Sequence, residues 1–126
     1  MAKTDPFELL KSLPLPLVAD SRVSLGLPER HLDTGIRPVV PFTRMVGKAV
    51  TLRLTVAPDD ASADLDLVGK AYEQPEGVRD LIIVMELSPE LHQYGIFGDH
   101  AATNARQHGF VGALIDGAVR DTHALE

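Results

Sequence analysis

The stretch "GDHAATNARQHGFVGALIDGAVRD", residues 98 to 121, carries two aspartates and an arginine at the ends of an otherwise small and apolar run. Asp99 is followed by twenty residues (100 to 119) and then by the pair Arg120-Asp121. A planar guanidinium grips carboxylate oxygens two at a time. An aspartate beside it is a natural ligand for a hard divalent cation such as magnesium, which takes one or two protein carboxylates and fills its remaining positions with water and substrate oxygens. Add the backbone amides of Gly98, Asp99, His100 and Ala101, and the set is suited to stabilising an enolate, provided that both ends of the stretch reach one place.

The pattern of the intervening residues predicts that they do. "DLIIVMEL" (80 to 87) is a short apolar run rich in β-branched residues, the mark of a strand buried on both faces, and "FVGALI" (110 to 115) is a second. Between them "DHAATNARQHG" has Ala101, Ala102 and Ala105 on one side of a helix over 99–108, with Gly109 as its stop. Strands at 81–85 and 111–115 joined by that helix make a βαβ unit, whose strands run parallel. Asp99 then follows the carboxyl end of the first strand and Arg120 and Asp121 follow that of the second. This is the sheet edge where helix N-termini present free amides and open α/β sheets bind ligands.

Each of these residues also has a plain structural reading. Aspartate at a helix N-terminus is commonly a cap, Asp116-Gly117 after a strand a turn, and an adjacent Arg-Asp pair surface charge. The glycines and alanines equally suit close packing of helix on sheet. His100 has the reading of an exposed first-turn residue, and His92 and His108 have no partner at metal-ligand spacing. Glu86 ends a buried strand, where it either nears the site edge or caps the following loop, and Asp116 is near enough in sequence to orient Arg120. Ser88 has no nucleophile-elbow pattern around it.

The rest of the chain supplies the frame. With 126 residues and 44% hydrophobic content, one compact domain is expected. "DPFELLKSL" places Asp5 before a proline at a first helical position, predicting a short amphipathic helix within a proline-rich arm over 1–45. The main domain is expected over 46–126. In "MVGKAVTLRLTV" residues Val50, Leu52, Leu54 and Val56 alternate with Thr51, Arg53 and Thr55, a strand half exposed or facing a polar interface. After a turn in "APDDASAD", Leu65, Val68 and Tyr72 recur at helical spacing, closed by Pro75 and Gly77. There are no cysteines, so disulfides, thiolate metal sites and a cysteine nucleophile are excluded. The charge of −6 has no basic stripe to meet a phosphate backbone, and aromatics at 5% offer no stacking platform, so direct nucleic-acid binding is not expected. No segment has the roughly 20 apolar residues of a membrane span, and the N-terminus lacks a signal-peptide run, so a cytoplasmic protein is expected.

The quoted stretch resembles the RraA-like family, which contains the regulator of ribonuclease E activity A and the divalent-metal-dependent 4-hydroxy-4-methyl-2-oxoglutarate/4-carboxy-4-hydroxy-2-oxoadipate aldolases, some of which also decarboxylate oxaloacetate. Asp99, Arg120 and Asp121 reproduce the family's spacing, and "GFVGALIDGAVRD" its small-residue pattern. Weaker similarity extends through "DLIIVMEL", "MVGKAVTLRL" and "GIRPVVP", over most of residues 17 to 126. The resemblance implies a layered β/β/α domain of the α/β class, assembled into trimers or hexamers with sites between subunits. It implies that residues 98 to 101 contact the pyruvate moiety of a substrate, that Arg120 holds its keto and carboxylate oxygens, and that Asp121 ligates Mg2+ or Mn2+. Asp99 would position a metal-bound water for proton transfer. The implied activity is a lyase reaction, retro-aldol cleavage of a 4-hydroxy-2-oxo acid to pyruvate; the alternative is a non-catalytic regulator acting by contact with a ribonuclease. Family members continue with further strands beyond the Arg-Asp pair, and their absence from this sequence is expected to leave the fold short at its C-terminus.

Overall fold

The structure, a computed structural model, describes residues 4–59 and 65–125; most of the turn expected in "APDDASAD" lies outside them. It falls into two compact units, Met1–Arg37 and Pro38–Glu126. In the first, helix α1 spans Pro6–Ser12 and helix α2 spans Leu15–Ser24. Asp5 caps α1 as its sequence position predicts: its carboxylate accepts the Phe7 N–H at 3.0 Å, and Pro6 occupies the first turn, where a missing N–H costs nothing. Helix α2 ends where Gly26 turns left-handed at φ 68°, which lets the Gly26 and Leu27 amides fold back onto the carbonyls of Val23 and Arg22 at 2.9 and 3.0 Å.

The second unit carries the sheet. Strand β1 (Lys48–Leu54), helix α3 (Leu65–Tyr72), strand β2 (Leu81–Leu87), helix α4 (Asp99–Gln107) and strand β3 (Phe110–Asp116) follow in that order. The strands lie side by side as β1-β2-β3, all parallel, so two βαβ units succeed one another. Strand β1 alternates as expected up to Leu54, with Val50, Leu52 and Leu54 turned to the core, but Val56 lies beyond the strand and is exposed. Gly109, at φ 87°, makes the sharp turn from α4 into β3; a Cβ there would stand 2.5 Å from the Val78 carbonyl oxygen.

The core is one-sided. Leu81, Ile83, Met85 and Leu87 on one face of β2 are buried together with Tyr72 of α3, Ala105 of α4, Phe97 and Phe110. On the other face Ile82 and Val84 are only half buried, as is Leu114 of β3, and the neighbouring Thr51 of β1 is exposed. This corrects the expectation that β2 and β3 are buried on both faces; in β3 only Phe110 is buried, and Val111 is exposed. Both crossover helices feed the same core cluster, as consecutive crossovers of one hand do when strands are added in order, so a single face receives the helices. The fold is the expected α/β class. Its helix layer and parallel sheet are in place, while the second β layer implied by the resemblance is not among the described residues. No described helix is long and apolar enough to cross a membrane.

Candidate functional site

Parallel pairing of β2 with β3 delivers the two ends of the 98–121 stretch to the carboxyl edge of the sheet. The pairing extends past the strands: Phe97 and Val119 form a further parallel bridge, and the Arg120 N–H donates to the Phe97 carbonyl at 2.9 Å. Phe97 is buried, so its side chain anchors this junction to the core while its backbone holds the segment that follows β3. Gly98, the next residue, is buried and extended (φ −148°, ψ −162°) and opens helix α4.

Room at Gly98 is what lets the acidic and basic side chains gather. A Cβ at this position would stand 2.7 Å from Asp121 Oδ2, 2.9 Å from Arg120 Cγ and 3.2 Å from Arg120 Nε. Arg120 Nε and Asp121 Oδ2 lie 3.4 Å apart, with both side chains open to solvent (67% and 43% exposed), so the pair is free to exchange its contact for a ligand. Asp121 turns back over the glycine because its own backbone is left-handed, φ 55° and ψ 38°, an uncommon conformation for a side-chain-bearing residue and one tolerated best by Asp and Asn. The Ala124 N–H donates to the Asp121 carbonyl at 2.8 Å and helps fix that turn.

At the start of α4 the arrangement is narrower than the sequence suggests. Asp99 is the first helical residue, and its Oδ1 accepts the His100 N–H at 2.7 Å, so one of the four amides expected to meet a ligand is already satisfied by the neighbouring carboxylate. The Ala101 side chain turns instead to the core cluster. His100 is exposed. The structure thus brings Gly98, Arg120 and Asp121 into contact and sets Asp99 next to them in the chain. Among the described residues no three His, Asp or Glu side chains are grouped to hold a metal ion, and Asp121 Oδ2 is the atom nearest to a Cβ at Gly98 apart from its chain neighbours.

Other candidates at this edge are engaged elsewhere. Glu86 neither nears the Arg120 pair nor caps its loop; its Oε2 accepts Arg53 Nε at 2.7 Å, because register places Arg53 beside Glu86 on adjacent strands. Asp116 faces His92 at 3.8 Å rather than Arg120. His92, which has no partner at metal-ligand spacing, is exposed; it places Nε2 3.0 Å from the Leu87 carbonyl, and its own carbonyl accepts the Ala118 N–H at 2.9 Å, so it clasps the loop after β2 to the turn after β3. One residue that sequence reasoning passed over is Gly95. A Cβ there would stand 2.9 Å from Arg120 Cβ and 3.3 Å from its Cγ and Cδ. Its sequence signal was slight, a glycine three positions before Gly98 in a loop that ends at a helix.

Comparison with known proteins bears on the family and the fold. The family described as RraA-like, Aldolase/RraA, matches residues 16–126. Among solved structures, one described as "novel cellulases from microbes associated with the gut ecosystem" superposes with a TM-score of 0.75 over 99% of this chain at 20% identity. The chain spans 57% of that structure's length, and at such identity the likeness concerns the fold alone.

Proposed function

The chain belongs to the RraA-like family, which covers both aldolases and regulators, and from that premise we propose that it is a divalent-metal-dependent aldolase releasing pyruvate from a 4-hydroxy-2-oxo acid. The observation that supports this reading is the crowding of Arg120 and Asp121 over Gly98, a guanidinium and a carboxylate meeting where a backbone without a side chain leaves space for a ligand. One exposed carboxylate fits magnesium or manganese, since such ions are held by one or two carboxylates with water and substrate completing the sphere. In this reading Asp121 would hold the ion, which supplies charge stabilisation at the 2-oxo oxygen when bound.

The chain's own residues do the rest. Arg120 grips the carboxylate and keto oxygens of the pyruvate moiety through its fork, and Gly98 admits that moiety against the backbone. Asp99 orients a water that takes the proton from the 4-hydroxyl group; the freed oxygen pair closes a C=O on C4, which departs as a carbonyl compound, while the C3–C4 pair passes into the enolate of pyruvate and a proton delivered to C3 completes the product. Oxaloacetate decarboxylation requires the same enolate and is a second expected activity. A trimer or hexamer with sites at subunit junctions is part of the proposal.

Pyruvate release from a 4-hydroxy-2-oxo acid and from oxaloacetate, with and without Mg2+, tests it. Release that needs the ion and disappears in Asp121→Ala supports the aldolase; release that is absent, or equal in the variant, overturns it. The family also covers regulators, and the second reading is one acting by contact with a ribonuclease. Capture of an arginine-rich ribonuclease scaffold by a chain lacking pyruvate release would establish that reading instead.

A further inference from the structure

We propose that Gly95 is a positioning residue for Arg120, and that with Gly98 it forms a trough that sets the direction of the guanidinium. The proposal rests on Arg120 being the substrate-binding cation, and it adds a residue outside the Asp99, Arg120 and Asp121 set. The two glycines meet different parts of the arginine. Gly95 faces its root and stem, with an added Cβ 2.9 Å from Arg120 Cβ and 3.3 Å from Cγ and Cδ, whereas Gly98 faces Cγ, Nε and the Asp121 carboxylate.

Space, not backbone freedom, is what Gly95 supplies. Its φ lies outside the left-handed region, unlike Gly26, Gly77, Gly109 and Gly117. It is the middle residue of a tight turn closed by the Ile96 N–H donating to the Tyr94 carbonyl at 2.8 Å, a geometry alanine also adopts when φ is negative. A methyl group at 95 therefore meets the arginine rather than a forbidden backbone. The arginine root cannot retreat, because its N–H is bonded to Phe97 and Val119 is bridged to the same residue, whose side chain is buried. Side-chain torsions move Cγ and Cδ but leave Cβ where it is, so relief needs a shift of the 94–96 turn against the Arg120 root together with a turn of the stem, and both redirect the guanidinium. A fork that binds two oxygens at once tolerates little such swing.

The test uses the 126-residue chain with Gly95→Ala and reads four quantities: the Arg120 Nε–H resonance, identified by its loss in Arg120→Lys; kcat and KM for pyruvate release; Mn2+ affinity; and thermal melting. The expected result is a displaced Nε–H resonance and a KM raised roughly tenfold or more with a smaller change in kcat, since orientation of a binding group is what changes. Mn2+ affinity stays within about twofold, because the three atoms nearest to the Gly95 methyl all belong to Arg120 and not to Asp121. Should Gly95→Ala fail to fold, Gly95→Ala/Arg120→Gly, which removes the Cβ and the stem together, restores folded protein. An unmoved resonance with unchanged KM overturns the proposal, as does misfolding that the second substitution leaves in place. A wild-type chain without pyruvate release defeats the aldolase reading by itself; the Nε–H resonance and the rescue by Arg120→Gly still decide whether Gly95 positions Arg120.

Discussion

Phe97 and Arg120 are joined backbone to backbone, the Arg120 N–H donating to the Phe97 carbonyl at 2.9 Å. Through this bond a buried aromatic before helix α4 fixes a solvent-facing arginine after strand β3. The guanidinium is thereby referenced to the core of the sheet, although its side chain is 67% exposed.

Gly98→Ala is expected to weaken cation binding and substrate binding together. The methyl group would stand 2.7 Å from Asp121 Oδ2 and 2.9 Å from Arg120 Cγ, so both side chains must move. Calorimetric titration with Mn2+ and with pyruvate should show each affinity reduced roughly tenfold or more, the order expected for ångström-scale misplacement. Retention of either affinity would show that crowding at Gly98 does not govern that group.

Arg120→Lys should lower kcat/KM by about a hundredfold while leaving stability within about 0.5 kcal/mol, because a single ammonium cannot reproduce a bidentate fork and the side chain is exposed. Steady-state kinetics and a denaturant melt check the two halves separately. A lysine variant with unimpaired turnover would remove Arg120 from the chemistry.

Tyr72→Phe should keep or raise stability, by up to about 1 kcal/mol, because the buried Tyr72 hydroxyl has no hydrogen-bond partner and its removal leaves nothing orphaned. Burial pushes the Tyr72 phenol above its ordinary value of 10.0. The unfolded chain therefore ionises first as pH rises, so this residue's effect on stability is absent below the unfolded pKa and turns unfavourable above it. Denaturant melts at neutral and strongly alkaline pH should show a loss at high pH in the native chain that is smaller in the variant; equal losses would mean that this hydroxyl is not responsible.

Ile83→Ala and Ile82→Ala test the one-sided core from neighbouring positions. Ile83 is 0% exposed, and its truncation should cost about 2–5 kcal/mol. Ile82 lies on the half-buried face, where the same truncation should cost roughly half as much or less, in proportion to the smaller apolar area returned to water. Equal costs would mean that the second face is covered in solution.

The contrast between these two isoleucines also shows where sequence reasoning stops. Alternation in Val50, Leu52 and Leu54 announced a strand and its inward face, and the Asp5-Pro6 pair announced a helix start, because both signals are local. The βαβ order alone was enough to bring Gly98 to the same edge as Arg120 and Asp121. In "LIIVMEL", by contrast, Ile82 and Ile83 look alike, since an apolar run does not reveal whether one layer or two will cover it. Gly95 against the Arg120 stem and His92 against Leu87 are contacts between separate segments that carry no periodicity, and only the folded chain displays them.

The left-handed backbone of Asp121 sets heat resistance against usefulness at one position. Glycine takes that conformation without strain, so Asp121→Gly should fold at least as firmly as the natural chain while giving up the carboxylate. Laboratory evolution guided by thermal survival alone would favour this exchange and would erase the proposed cation ligand without any visible damage to the protein.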